Sequence, residues 1–226
     1  MRIRAPAGSS ARSGSARLRL PGSRTCGTIA VVDPVELAAG PLRLRPWRVE
    51  DADAVLAALQ DDEVRLWNGF GDVTLEAVGV WLTRRMNWSG GDHASWAVVD
   101  GRTEELLGSV SLHSIDADQG DAEVGYWTVP AARGRGVATS VVDAVCRWAF
   151  ATLPVDRIEL CHAVENEASG RVAQKAGFQR EGRLRRSFRY GDGVKHDELL
   201  WARLATDDVP PPVPGGDGIT AAGGRP

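Results

Sequence analysis

The stretch of this chain best equipped for chemistry is GYWTVPAARGRGVATSVVDAVCRWAF, Gly125 to Phe150. An apolar strand meets a proline, then arginines alternating with glycines, then a long amphipathic helix. At a helix start the first four amide N–H groups have no intrahelical partner, and the aligned peptide dipoles add partial positive charge. An anion is stabilised there, above all a phosphate. Gly134 and Gly136 let backbone approach a ligand closely, because no Cβ intervenes. Arg133 and Arg135 can add charge-assisted contacts to phosphate oxygens. The spacing matches neither a Walker A loop nor the dinucleotide fingerprint. A plain glycine turn with solvated arginines is the competing reading.

Positioning such a turn needs a sheet and a helix. Leu42–Trp47 alternates apolar and charged residues and predicts a strand. Asp51 or Asp53 can cap the next helix, whose apolar face is Val55, Leu56 and Leu59. Residues 61–74 read as a loop, and Val78–Met86 as a second helix. Ala94–Asp100 and Leu106–Ile115 form a hairpin pattern. Ala122–Val129 is a third strand of this run, and Gly136–Thr152 is the amphipathic helix. Arg157–Val164 predicts a strand, and Asn166–Gly177 a short helix closed by a glycine. Two strands joined by the turn YGDG end the pattern. The order is β-α-α-β-β-β-α-β-α-β-β, a mixed α/β or α+β domain around a partly antiparallel sheet.

The chain has 226 residues, of which 43% are hydrophobic, and a net charge of −3. One domain with tails fits that length. The charge does not mark a general nucleic-acid binder. Cys26, Cys146 and Cys161 form no C-x-x-C pair, and no His/Cys cluster has zinc-ligand spacing, so no metal is expected. A reducing cytoplasm fits these cysteines. No apolar run approaches the roughly 20 residues of a membrane span. Residues 1–40 read as a basic, disordered extension: its first thirty residues hold six arginines and no acid. A nucleic-acid-binding arm and a targeting peptide are the rival readings of that segment. The folded core spans 41–205, and the Pro/Gly-rich 206–226 reads as a disordered tail.

Four motifs in order carry a family resemblance. Arg133, Gly136 and Ala138 fall on the R-x-x-G-x-A acyl-CoA signature of the GNAT superfamily of N-acyltransferases. AEVGYWTVPAARGRGVAT is similar to the strand–loop–helix of its Rim-type subgroup, the ribosomal-protein N-terminal acetyltransferases. NEASGRVAQKAGF resembles that subgroup's N-x-x-S-x-x-V-x-x-K-x-G-F block, and FQREGRLRR…GDGVKHDELLWARL its closing hairpin. The resemblance covers about residues 41–204. It implies a GNAT-like central sheet, mostly antiparallel and splayed between Ala122–Val129 and Arg157–Val164, with flanking helices. It implies acetyl-CoA as acyl donor, with the pantetheine arm on the backbone of Trp127, Thr128 and Val129. The pyrophosphate then sits on Arg133, Gly134, Arg135, Gly136, Val137 and Ala138. It also implies an amine acceptor, a protein N-terminus or a small molecule, and a tendency to pair as homodimers.

Direct acyl transfer from a thioester to an amine needs a base, an oxyanion donor and help for the departing thiolate. It needs no covalent enzyme intermediate, so Cys146 and Cys161 read as small buried side chains. In the resemblance Ser169 lies near the thioester sulfur, where many relatives carry tyrosine; helix capping is its bland role. Asn166 goes to the pantetheine or to a helix N-cap, and both can hold together. Glu123 is the candidate base, with His113 as the alternative. His196 and Asp197 stabilise the last hairpin, and Tyr190 is a second acid candidate. Trp67, Phe70, Trp81, Trp88, Arg189 and Tyr190 are candidates to line the acceptor site, though aromatics equally make cores. A larger acyl donor such as succinyl-CoA, and a non-catalytic acyl-CoA-binding sensor, are the alternatives.

Overall fold

The computed structural model describes residues 33–69 and 73–208. The Arg-rich segment before residue 33, Phe70 and the Pro/Gly-rich tail lie outside the described residues.

Eight strands form one sheet in the order β1-β2-β3-β4-β5-β6-β8-β7. The strands are β1 (Leu37–Ala39), β2 (Leu42–Pro46), β3 (Ala94–Asp100), β4 (Leu106–Asp116), β5 (Asp121–Thr128), β6 (Arg157–Ala163), β7 (Gln179–Arg189) and β8 (Lys195–Leu204). The helices are α1 (Ala52–Ala58), α2 (Asp62–Asn68), α3 (Leu75–Met86), α4 (Val137–Thr152) and α5 (Glu167–Lys175). Every neighbouring pair of strands is antiparallel except β5 and β6, which are parallel. A parallel pair needs a crossover, and α4 supplies it.

Side-chain alternation along β5 assigns its two faces. Ala122, Val124 and Tyr126 join the larger core with α4, while Trp127 joins the smaller core with Trp47, Val55, Leu59, Val78 and Leu82. The buried stripe of α4 is Val137, Val141, Val142, Val145, Cys146, Trp148 and Ala149. Each such valine contributes about 1.5–3 kcal/mol of apolar burial. That stripe anchors α4 in the larger core.

Four local readings change. Residues 61–74 are not one loop: Asp61 accepts a hydrogen bond from the Val64 amide and caps α2, and Gly69 ends it at φ 68°. Seven mostly polar residues carry too little periodicity to announce a helix. Strand β1 lies within the stretch read as extension and pairs with β2 through Leu37 and Leu44. Helix α3 begins three residues earlier than Val78, because Thr74 caps it by accepting from the Ala77 amide. Asp51 does not cap α1 with its side chain; its carboxylate takes both guanidinium nitrogens of Arg45, at 2.8 and 2.6 Å, in a buried pair.

The last hairpin docks onto α2. The Gly191 amide donates to Leu66 O at 2.9 Å. A Cβ at Gly191 would lie 2.4 Å from Arg65 O, so only glycine permits this approach.

Candidate active site

The parallel pairing of β5 and β6 is brief. It runs Asp121↔Arg157, Ala122↔Ile158 and Glu123↔Glu159 and stops there. Beyond it Val124–Thr128 and Leu160–Ala163 separate. A cavity of about 550 Å³ occupies the gap. The start of α4, the start of α5, the exposed side of α2 and the last hairpin close around it.

At one end stands the glycine–arginine turn. Gly134 and Gly136 have φ of 72° and 79°, left-handed values that a side chain disfavours. Gly136 is the N-cap of α4, and no side chain caps the helix. The first bond of α4 runs from the Ser140 amide to Gly136 O at 3.0 Å. Val137, Ala138 and Thr139 precede it, and all three line the cavity. Their amides are available to an anion. Gly134 and Arg133 also line this end, whereas Arg135 folds its guanidinium toward Ala131 O at 3.4 Å. Arg133 does not stand free: it pairs with Asp61 and, at 3.1 Å, with Glu63. Burial raises the Asp61 pKa, but the Arg133 guanidinium and the Val64 amide outweigh it and hold the carboxyl below its usual range.

The middle of the cavity is bounded by Tyr126, Asn166 and Ser169. Asn166 caps α5 by accepting from the Ser169 amide at 3.1 Å. The Ser169 hydroxyl is 2.9 Å from the Tyr126 hydroxyl. Burial pushes the Tyr126 phenol up to about 12, with the Ser169 hydroxyl pulling slightly the other way. Trp127 and Thr128 line the cavity, but Val129 does not. The Val129 amide donates to Leu107 O and its carbonyl accepts from the Ala132 amide, both at 2.9 Å.

At the other end Glu123 and His113 face each other across β5 and β4, with Oε2 and Nε2 3.6 Å apart. Tyr190 and Glu198 close this end with Trp67. The buried Glu198 carboxylate accepts from Tyr190 at 3.0 Å and from Ser187 at 2.6 Å. Burial and the Glu198 charge push the Tyr190 phenol well above its ordinary value. Trp67 stacks edge-on against Tyr190 at 5.7 Å. Cys161 is half-buried on the wall rather than fully enclosed, while Cys146 is enclosed, with its thiol pushed up to about 12 by burial.

These observations match a family. The acetyltransferase (GNAT) domain matches residues 41–179. The chain belongs to the GNAT family of N-acetyltransferases. It is 30% identical over 163 residues to the uncharacterized N-acetyltransferase YoaA of Bacillus subtilis, covering 71% of this chain and 92% of that protein. It is 28% identical over 103 residues to the ribosomal-protein-serine acetyltransferase of Escherichia coli, covering 46% of this chain and 57% of that one. Mycobacterium smegmatis RimJ, solved in complex with CoA-disulfide, superposes with a TM-score of 0.65 at 26% identity over 76% of this chain and 86% of RimJ. The GNAT fold and the likeness to ribosomal-protein acetyltransferases expected from the motifs are thus found.

Several residues expected in this GNAT site are elsewhere. Trp81 packs edge-on against Trp47 at 5.0 Å, with the Arg85 guanidinium over its ring, in the smaller core. Trp88 is buried against Trp96 at 4.8 Å. Arg189 turns its guanidinium onto Gly193 O and holds the hairpin turn. Trp81 sits on the inward side of α3, and Trp88 lies beyond the end of that helix, buried in the larger core. His196 and Asp197 brace the last hairpin: His196 meets Asp192 at 2.9 Å, and Asp197 takes Arg183 and the Arg186 amide. Tyr126, Glu198 and the α2 carboxylates escape a reading by motif. Alternation along β5 puts Tyr126 on the α5 face and would have found it. Nothing local signals Glu198, because its hydroxyl partners arrive from β7.

Proposed function

We propose that this GNAT protein transfers an acetyl group from acetyl-CoA directly to a primary amine, with Glu123 as base and the α4 amides as the diphosphate seat. One observation carries the reading. The opening between β5 and β6 joins uncapped helix amides at one end to a carboxylate–imidazole pair at the other.

The residues divide the labour as follows. The Val137, Ala138 and Thr139 amides, with Gly134 and Gly136, hold the diphosphate; Arg133 adds charge once the phosphate competes with Asp61 and Glu63. The gap-facing backbone of Trp127 and Thr128 aligns the pantetheine arm as an extra strand would. The bound donor supplies an activated acyl carbonyl and a thiolate leaving group. Glu123 takes the proton that the attacking amine sheds, with His113 beside it to orient the carboxylate or carry the proton onward. Asn166 holds the first turn of α5, so Ser169 stands at the sulfur end. Trp67, Tyr190 and Glu198 form the acceptor wall.

The acceptor is a protein α-amino group or a small-molecule amine. The ribosomal-protein relatives favour the first. A thiol-release assay with acetyl-CoA decides between them. Release with peptides and none with free amines supports the protein acceptor; the reverse supports the small molecule. Release with neither panel while CoA still binds supports a non-catalytic acyl-CoA sensor. Running succinyl-CoA alongside acetyl-CoA tests the larger acyl group. A reducing cytoplasmic compartment fits Cys146 and Cys161, which are not in disulfides.

A further inference from the structure

The contact between Tyr126 and Ser169 joins two hydroxyls at the centre of the gap, 2.9 Å apart. One sits on the middle strand and the other on the first turn of α5. Neither position is needed by the fold for hydrogen bonding: the Ser169 amide is already satisfied by Asn166. Either hydroxyl can be the donor in this pair. A buried O–H without an acceptor costs about 1–3 kcal/mol. Among the described residues the Tyr126 phenol has no hydrogen-bond partner other than Ser169. Donation from Tyr126 to Ser169 Oγ satisfies the phenol and leaves the serine hydrogen free to turn. Burial reinforces the assignment by keeping the phenol protonated far beyond neutral pH. The accepting hydroxyl must then direct its own hydrogen elsewhere, and the cavity is the open side.

We propose that Tyr126 is a positioning residue for acyl transfer: by donating to Ser169 it aims the Ser169 hydroxyl hydrogen at the departing thiolate. The inference rests on the reading of this cavity as the acetyl-CoA site. The step balances without a further reactant. The amine nitrogen forms the new C–N bond and loses its proton to Glu123. The C–S bond breaks, and its electron pair goes to sulfur. Ser169 keeps its proton, since an aliphatic hydroxyl is a far weaker acid than a thiol. It stabilises the sulfur anion as a hydrogen-bond donor, and the proton collected from the amine neutralises the sulfur afterwards. Ser169 is thus a donor to the thiolate rather than its acid. Tyr126 polarises it through two hydroxyls in line.

The test reads the ionisation of bound CoA itself and needs no acceptor. The intact protein is loaded with CoA, and thiolate absorbance near 232 nm is followed against pH, with desulfo-CoA as blank. Free CoA titrated in the same buffer gives the reference ionisation of the thiol. Binding is expected to lower this by about one unit, because a donor to a charged group favours the anion. Tyr126→Phe is expected to abolish most of the lowering while leaving the CoA dissociation constant within about twofold, and Ser169→Ala to abolish the same part. The double variant should show no further change, because both act through one hydrogen. Ser169→Thr, which keeps the hydroxyl, should restore the lowering. Should Tyr126→Phe disturb folding, Tyr126→Leu, which also lacks the hydroxyl, makes the same comparison. An unshifted thiol in the unsubstituted protein overturns the proposal, as does a shift that survives Tyr126→Phe or Ser169→Ala. A failure of CoA to bind at all is a different result: it removes the reading of the cavity as a CoA site, and this inference with it.

Discussion

The two ends of the cavity are built from different material. The end proposed for the diphosphate is backbone: amides of one helix turn, two glycines at positive φ and a strand with an unpaired edge. The end proposed for the acceptor is side chain: Glu123, His113, Trp67, Tyr190 and Glu198, drawn from β5, β4, α2 and the last hairpin. A backbone seat depends on local conformation and tolerates changes in most neighbouring side chains. A side-chain wall depends on tertiary docking, here the approach of the last hairpin to α2 through Gly191. The comparison teaches that donor and acceptor recognition in this protein should fail independently.

Substitutions can break that separation or sharpen it. The largest effect is expected at Glu123. Replacing a general base with a neutral amide costs about 10²–10⁴ in rate. Glu123→Gln should therefore lower kcat and remove the acidic limb of the kcat/KM profile, with CoA affinity unchanged. A profile identical in shape to that of the parent protein would move the base elsewhere, His113 first.

Gly136→Pro attacks the other end. Proline is locked near −65°, against the 79° observed at this position. The substitution also deletes an amide. It should weaken CoA binding roughly a hundredfold, by the 3 kcal/mol or so that a misplaced proline costs. Calorimetry with CoA reads this, and circular dichroism checks that the fold persists. Retained affinity would mean that the helix start is not the anion seat.

A smaller effect is expected at Gly191. A methyl group there meets Arg65 O and pushes the hairpin from α2. Gly191→Ala should raise the acceptor KM about tenfold, the scale of a core clash of 1–3 kcal/mol, and leave the CoA dissociation constant alone. A parallel rise in both constants would show the two ends to be coupled, with Arg133 and its α2 carboxylates as the connecting group.

The subtlest prediction is spectroscopic. The chain has two tyrosines, Tyr126 and Tyr190. Both phenols are raised by burial, Tyr126 to about 12. A group with a raised folded pKa stabilises the fold fully below its unfolded value, about 10 for tyrosine, and that stability is lost as pH rises through the folded value. Absorbance at 295 nm should thus stay flat at pH 10 and rise only with alkaline unfolding. A step at pH 10 in the folded protein would place at least one phenol in solvent.

How much of this was open to a reader of the sequence follows the same division. The glycine–arginine turn, the α4 stripe and the α5 cap are local patterns, so their residues announce themselves. Helix α2 did not, since seven polar-rich residues take their helical state from Asp61 and from docking. Trp81 and Trp88 misled because an aromatic side chain looks the same in sequence whether it faces a core or a ligand. Glu198 was invisible for a related reason: its partners Ser187 and Tyr190 come from the far arm of a hairpin.

By itself the sequence determined the glycine–arginine turn and the helix behind it, because helix amides and glycine torsions are properties of a few consecutive residues. It also determined the family, through four motifs in fixed order. Only the tertiary structure decided where β5 and β6 part, that Tyr126 meets Ser169, and which side chains gather at the Glu123 end of the cavity. Those contacts join residues far apart in the chain: Tyr126 and Ser169 are 43 positions apart, and Trp67 meets Tyr190 across a longer stretch still. Chain folding sets such distances, and no local torsion or periodicity encodes them.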